Sequence, residues 1–155
     1  MAALFNAKPG EIAFTKNTSE GAEHRGQRCP ARGGDNVVLI EGDHPNNTYA
    51  WLNQRRKGVK VRFVTLKGEG DIATAETFAP FVDARTRVIS LSHISFHAGQ
   101  RHDVTRIGRL CRNRGIYLVV DAMQSAGVVP IDVDPLSWLR VHIIMANIFC
   151  ATMHA

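Results

Sequence analysis

No apolar run in this 155-residue sequence approaches the ~20 residues that a helix needs to cross a bilayer, so a membrane protein is not expected. The N-terminal stretch MAALFNAKPGEIAF lacks a basic segment followed by a long apolar one. No secretory leader is therefore expected, and the expected location is the cytoplasm. Cysteine is sparse: Cys29, Cys111 and Cys150 are scattered and form no CxxC. That excludes a disulfide framework and predicts reduced, structural thiols. Lysine is scarcer than arginine, 5 against 14, and none follows Lys67. Aromatic residues make up 7% and do not interleave with the basic clusters at 54–57 and 106–114. Without a stacking platform or a zinc-finger or RNP-like signature, the net charge of +5 reads as solvated helix faces and not as a nucleic-acid surface. No HExxH or cysteine ligand set accompanies His93, His97 and His102, and no GxSxG follows a strand, so neither a metal centre nor a serine hydrolase is expected.

What is present is ordinary globular composition, 45% hydrophobic and 21% charged, in a length that suits one domain. Short apolar or β-branched runs at 36–41, 60–65, 87–92 and 116–121 read as strands. Their nearly continuous apolarity suits a parallel sheet buried on both faces. Helical patterns lie between them, at about 46–57, 74–83 and 103–114. In the last, Val104, Ile107, Leu110 and Cys111 share one face while Arg106, Arg109 and Arg112 turn outward, and Gly115 supplies the stop. Pro80 should shorten or kink the second helix. The alternation predicts an α/β fold, a mostly parallel sheet with crossover helices.

Two stretches break the pattern. Residues 22–34, AEHRGQRCPARGG, carry three Arg, three Gly and a Pro with no apolar periodicity. The tail from Pro135 contains an apolar run at 141–146 that can form a strand, followed by no recognisable element.

In an α/β sheet, ligands gather beyond the carboxyl ends of the strands. Here that rim collects Glu41-Gly42-Asp43-His44, Ser92-His93 and Asp121-Ala122-Met123-Gln124. Asp121 reads either as a helix cap or as a buried carboxylate that keeps a ring nitrogen protonated. Gln124, one short turn on, reaches the same region. Thr18 and Ser19, following a short strand at 11–15, form either a capping box or an anion site at a helix N-terminus. His44 reads as a ring-stacking or proton-shuttling group, or as a loop histidine beside the Asn46/Asn47 cap.

Taken in order, NTSEG, EGDHPNN, SHISFHAGQRHDV and VVDAMQSAGVVPIDV resemble the class V aminotransferase family of pyridoxal-phosphate enzymes, in particular its cysteine desulfurase, selenocysteine lyase and isopenicillin-epimerase-like members. The resemblance spans roughly residues 3–21 and 35–134. It implies part of the large domain of a fold-type I (aspartate aminotransferase-like) transferase over residues 1–134, with 135–155 an atypical tail. It also implies a pyridoxal 5'-phosphate site: Thr18 and Ser19 at the phosphate, His44 on the ring face, Asp121 at the pyridine nitrogen and Gln124 at the phenolic oxygen. Phe96 stands where many relatives place an Asn.

Enzymes of this family carry the cofactor on a lysine in a Ser/Thr-x-His-Lys segment, act on amino acids and form dimers that share active sites. After HIIMA this sequence instead reads Asn147-Ile148-Phe149-Cys150. The resemblance therefore implies a catalytically inactive portion of such an enzyme, without the small C-terminal domain and with cofactor binding weak or lost, in which 22–34 and the tail read as out of frame. The alternative expectation is a non-enzymatic protein that binds the cofactor or a partner.

Overall fold

The computed structural model describes residues 2–14, 20, 31–68, 70–133, 141–145 and 148–151, the last two segments as backbone. Seven strands form one sheet: β1 (Ile12–Ala13), β2 (Asn36–Ile40), β3 (Lys60–Val64), β4 (Thr86–Ser92), β5 (Tyr117–Asp121), β6 (Val141–Met145) and β7 (Ile148–Ala151). Their order across the sheet is 1-7-6-5-4-2-3. Strands β3, β2, β4, β5 and β6 pair in parallel, and β7 is antiparallel to both β6 and β1. Strands β2, β3, β4 and β5 fall within a residue of the positions expected from sequence. The run at 141–146 does form a strand. The expectation that nothing follows it is corrected: β7 lies antiparallel beside it, with Met145 in register with Ile148.

The crossover elements are α1 (Pro45–Leu52), α2 (Ala75–Phe78) and α3 (Val104–Arg114). The pattern at 46–57 is a helix only to Leu52, and its basic end 53–57 tightens to a 3-10 turn closed by Gly58 in the left-handed region (φ 80°). Pro80 sits in a 3-10 turn, 79–81, that ends the short α2, because its ring cannot continue an α-helical ladder. Helix α3 is capped by Asp103, whose carboxylate accepts the Arg106 N–H, and stops at Gly115 (φ 65°). Its buried face is Val104, Ile107, Gly108 and Cys111, with Leu110 half-buried. Arg106 and Arg109 are exposed, whereas Arg112 is half-buried, contrary to the outward position expected for it.

Alternate residues along β2, β4 and β5 serve two cores, which is why these strands read as continuously apolar. Val38, Ile40, Ile89, Leu91, Leu118 and Val120 face α2 and α3, packing with Phe78, Ile107 and Cys111. Val37, Leu39, Val88 and Val119 face α1, packing with Trp51 and Val59. Each such side chain, fully buried, contributes roughly 1.5–3 kcal/mol before entropy is subtracted. The atypical segment at 22–34 lies outside the described residues as far as Pro30. Its last residues are built into the fold: Ala31 packs on the α1-side core, and Gly34 N–H donates to the Gly58 carbonyl at 2.9 Å. A Cβ on Gly58 would stand 3.2 Å from the Gly33 Cα, so this crossing needs glycine.

Candidate functional site

The parallel register brings the carboxyl ends of β2, β4 and β5 to one rim. Ser92 at the end of β4 lies beside Asp121 at the end of β5, and the His93 N–H donates to the Asp121 carbonyl at 2.8 Å. Beyond β2 the chain turns through exposed Glu41 and Gly42, the glycine at φ 76°, and reaches Asp43. The Asp43 carboxylate accepts four hydrogen bonds. One oxygen takes the His44 N–H at 2.7 Å and the Ser92 hydroxyl at 2.6 Å; the other takes the Ser92 N–H at 2.8 Å and the Asn47 amide at 3.2 Å. Asn47 is buried and also donates to Ser92 Oγ at 3.1 Å.

His44 follows as the N-cap of α1, with Pro45 in the first turn, where a missing N–H costs nothing. Its Nδ1 accepts the Asn46 N–H at 3.3 Å, which leaves Nε2 as the free edge of the ring. The Phe96 ring meets it edge-on, 5.0 Å between centroids at 84°. The capping role and a ring-contact role are thus compatible, since the cap uses only one nitrogen.

Asp121 is buried, 5% exposed, and its Oδ1 accepts the Met123 N–H at 2.9 Å. Burial pushes its carboxyl above the ordinary carboxylate range. The Met123 hydrogen bond pulls it down, the nearby Asp43 charge pushes it up, and His44 opposes. The structure therefore brings His44 and Asp121 into one electrostatic neighbourhood, although β4 lies between their strands. Gln124 lies exposed on the turn after β5, which closes through the Ser125 and Ala126 N–H groups on the Ala122 carbonyl. Thr18 and Ser19 lie outside the described residues.

The three other rim histidines do structural work or face solvent. The loop after β4 folds back through an Ile94–Arg101 bridge. Within it, His102 is buried and its Nδ1 accepts the Ala73 N–H at 3.1 Å. His93, also buried, takes the Arg101 Nε–H on Nε2 at 3.4 Å, and burial, with help from Arg101 and His102, holds it down at about 4. His97 is exposed. Among the described residues no group of three or more His, Cys, Asp or Glu is placed to hold a metal ion, and no helix is long and apolar enough to cross a membrane. Cys111 is a core residue whose thiol burial pushes up to about 12.

Sequence reasoning placed Asp43 on the rim and gave it no role. The signal was available: an acid just before a His-Pro helix start, with an Asn four residues later. What cannot be read without the fold is that Ser92, 49 residues on, supplies two of its donors.

The aminotransferase class-V family model matches residues 1–138. An uncharacterized aminotransferase of Schizosaccharomyces pombe is 38% identical over 140 residues, covering 88% of this chain and 35% of the relative. A probable cysteine desulfurase of Methanothermobacter thermautotrophicus is 38% identical over 133 residues, 86% of this chain and 33% of the relative. Among solved structures, a C-DES variant with lysine replaced by alanine and glycine covalently linked to the PLP cofactor superposes with a TM-score of 0.86 at 23% identity, covering 97% of this chain and 43% of that one. The chain thus spans about a third of the length of the curated relatives it matches. Its α/β fold is a partial domain of the kind found in the PLP-dependent cysteine desulfurases, and the chain belongs to the class V aminotransferase family.

Proposed function

We propose that the rim is the ring-binding part of a pyridoxal 5'-phosphate site. Asp121 takes the pyridine N–H, His44 covers one ring face and Gln124 reaches the phenolic oxygen, with Thr18 and Ser19 at the phosphate. The observation that carries this is the buried Asp121 carboxylate. Burial disfavours its charge, and a cationic ring nitrogen is the partner that restores it. A buried carboxylate acceptor with a neighbouring imidazole is the arrangement that such a nitrogen needs.

When bound, the cofactor supplies an electron sink for a carbanion at the α-carbon of an amino acid. Relatives named as cysteine desulfurases support an amino-acid substrate, with cysteine desulfuration as the reaction of the intact relatives. Asp121 would hold the ring nitrogen protonated, and His44 would fix the ring plane and exclude water from that face. The amine that exchanges with substrate is a lysine's task, and no lysine follows Lys67 in these 155 residues. Within these 155 residues the rim would hold the cofactor ring, and the exchanging amine is not among them.

Titration with pyridoxal phosphate, followed by absorbance and by quenching of tryptophan fluorescence, tests the proposal. Saturable binding that Asp121→Asn weakens by about tenfold or more is expected, the loss of one charge-assisted contact. No saturable binding, or equal binding by the variant, would sink it.

A further inference from the structure

We propose that Asp43 is a positioning residue of this site, the tie that fixes where the His44 ring stands relative to the Asp121 carboxylate. The inference rests on the cofactor reading above for its purpose but not for its geometry. His44 follows β2 and Asp121 ends β5, and β4 separates them, so their backbones start two strand spacings apart, about 9–10 Å. The turn that carries His44 is exposed at Glu41 and Gly42, and Glu41 hydrogen-bonds Val64 and Thr65, on the side of β2 away from β4.

Asp43 closes that gap. Its two carboxylate oxygens take both the N–H and the hydroxyl of Ser92, the residue in register with Asp121. The same two oxygens hold the backbone N–H of His44 and the side chain of Asn47, one turn into α1. The start of α1 and the end of β4 are therefore fastened to one anion, and Asn47 to Ser92 Oγ completes the ring of contacts. Charge-assisted bonds of this kind are shorter and stronger than neutral ones, and the 2.6–2.8 Å distances fit that class. An amide cannot replace the carboxylate. One of its two atoms would be a donor facing a backbone donor, either the Ser92 N–H or the His44 N–H.

The experiment compares the native chain with Asp43→Asn and Ser92→Ala. Two readouts on the cofactor-free protein are hydrogen exchange of the His44 and Ser92 amides and the 15N shift of His44 Nδ1. The third is the dissociation constant for 4'-deoxypyridoxine 5'-phosphate, which has no aldehyde and needs no lysine. Asp43→Asn is expected to speed exchange of both amides by about tenfold or more, to move the His44 shift and to weaken the ligand by about tenfold, ~1.4 kcal/mol. Ser92→Ala keeps the backbone N–H contact and should give a smaller change of the same kind. If the native chain binds no ligand, the cofactor reading fails, and the two cofactor-free readouts still decide whether Asp43 positions His44. Unchanged exchange and an unchanged His44 shift in a folded Asp43→Asn would overturn the proposal. So would a general loss of protection across β2, β4 and α1, which marks a merely structural role.

Discussion

Replacing Asp121 by Asn should make the cofactor-free protein more stable at neutral pH. The substitution keeps the shape and keeps an oxygen for the Met123 N–H, while it removes a charge that sits 5% exposed beside the Asp43 carboxylate. Relief of a poorly compensated buried charge is worth about 2 kcal/mol. In a chain of this size that corresponds to a rise in Tm of ~4–8 °C. The pH dependence has a definite sign. The folded-state value of Asp121 lies above the unfolded value of 3.8, so the folded form holds this proton more tightly. As pH rises from 3.8 through the folded value, the native protein loses stability relative to Asp121→Asn. Above that window the difference is complete, and below 3.8 it vanishes. Urea or thermal melts of both proteins at pH 7 and at successively lower pH measure it. Saturating pyridoxal phosphate should reverse the order, because the ring cation stabilises only the carboxylate form. A variant that melts at or below the native temperature at pH 7 without cofactor would refute the reasoning, since Asp121 would then already be satisfied.

The amino ends of β2 and β4, opposite the rim, give a contrasting acid. Asp83 accepts the Asn36 amide at 2.9 Å and the Arg85 N–H, and pairs with Arg62, which together lower it to about 2. Asp83→Ala should lower Tm at neutral pH, with the difference narrowing as pH falls from 3.8 toward 2; a constant difference would argue against the contacts as its cause. His93 and His102 are buried and held neutral, so stability should fall as pH drops from 6.5 toward 4, while His93→Gln flattens part of that slope in a pH series of melts. Leu118→Ala, at a fully buried position, should cost about 2–5 kcal/mol in urea unfolding, against roughly 0.5 or less for the exposed Tyr49→Ala. Cys111 should resist thiol alkylation until the protein unfolds, as peptide mapping after timed exposure would show.

The strands and the long amphipathic helix were legible because burial on two faces, or on one helical stripe, writes itself directly into the order of residues. Val37 to Ile40 serve alternate cores, so all four must be apolar, and Val104, Ile107 and Cys111 recur at helical spacing for the same reason. The rim was legible too, since parallel strands must all end on the same side, and that put His44 and Asp121 together before any coordinates. Local chemistry misled where the outcome depended on distant pairing. The segment 148–151 has no strand signature of its own, yet the open edge of β6 lets it pair. Gly33 and Gly34 read as part of an out-of-frame, motif-poor stretch, but the Gly34 N–H bonds the Gly58 carbonyl and a Cβ on Gly58 would stand 3.2 Å from the Gly33 Cα. Arg112 follows the outward spacing of its helix and is still half-buried by what packs beside it. Sequence by itself determined the family, the α/β architecture and which side chains crowd the rim, because periodicity and motif order are properties of the chain. Only the tertiary structure decided how they are held. A carboxylate chooses its donors by distance in space, and the two that fix Asp43 come from a strand 49 residues away.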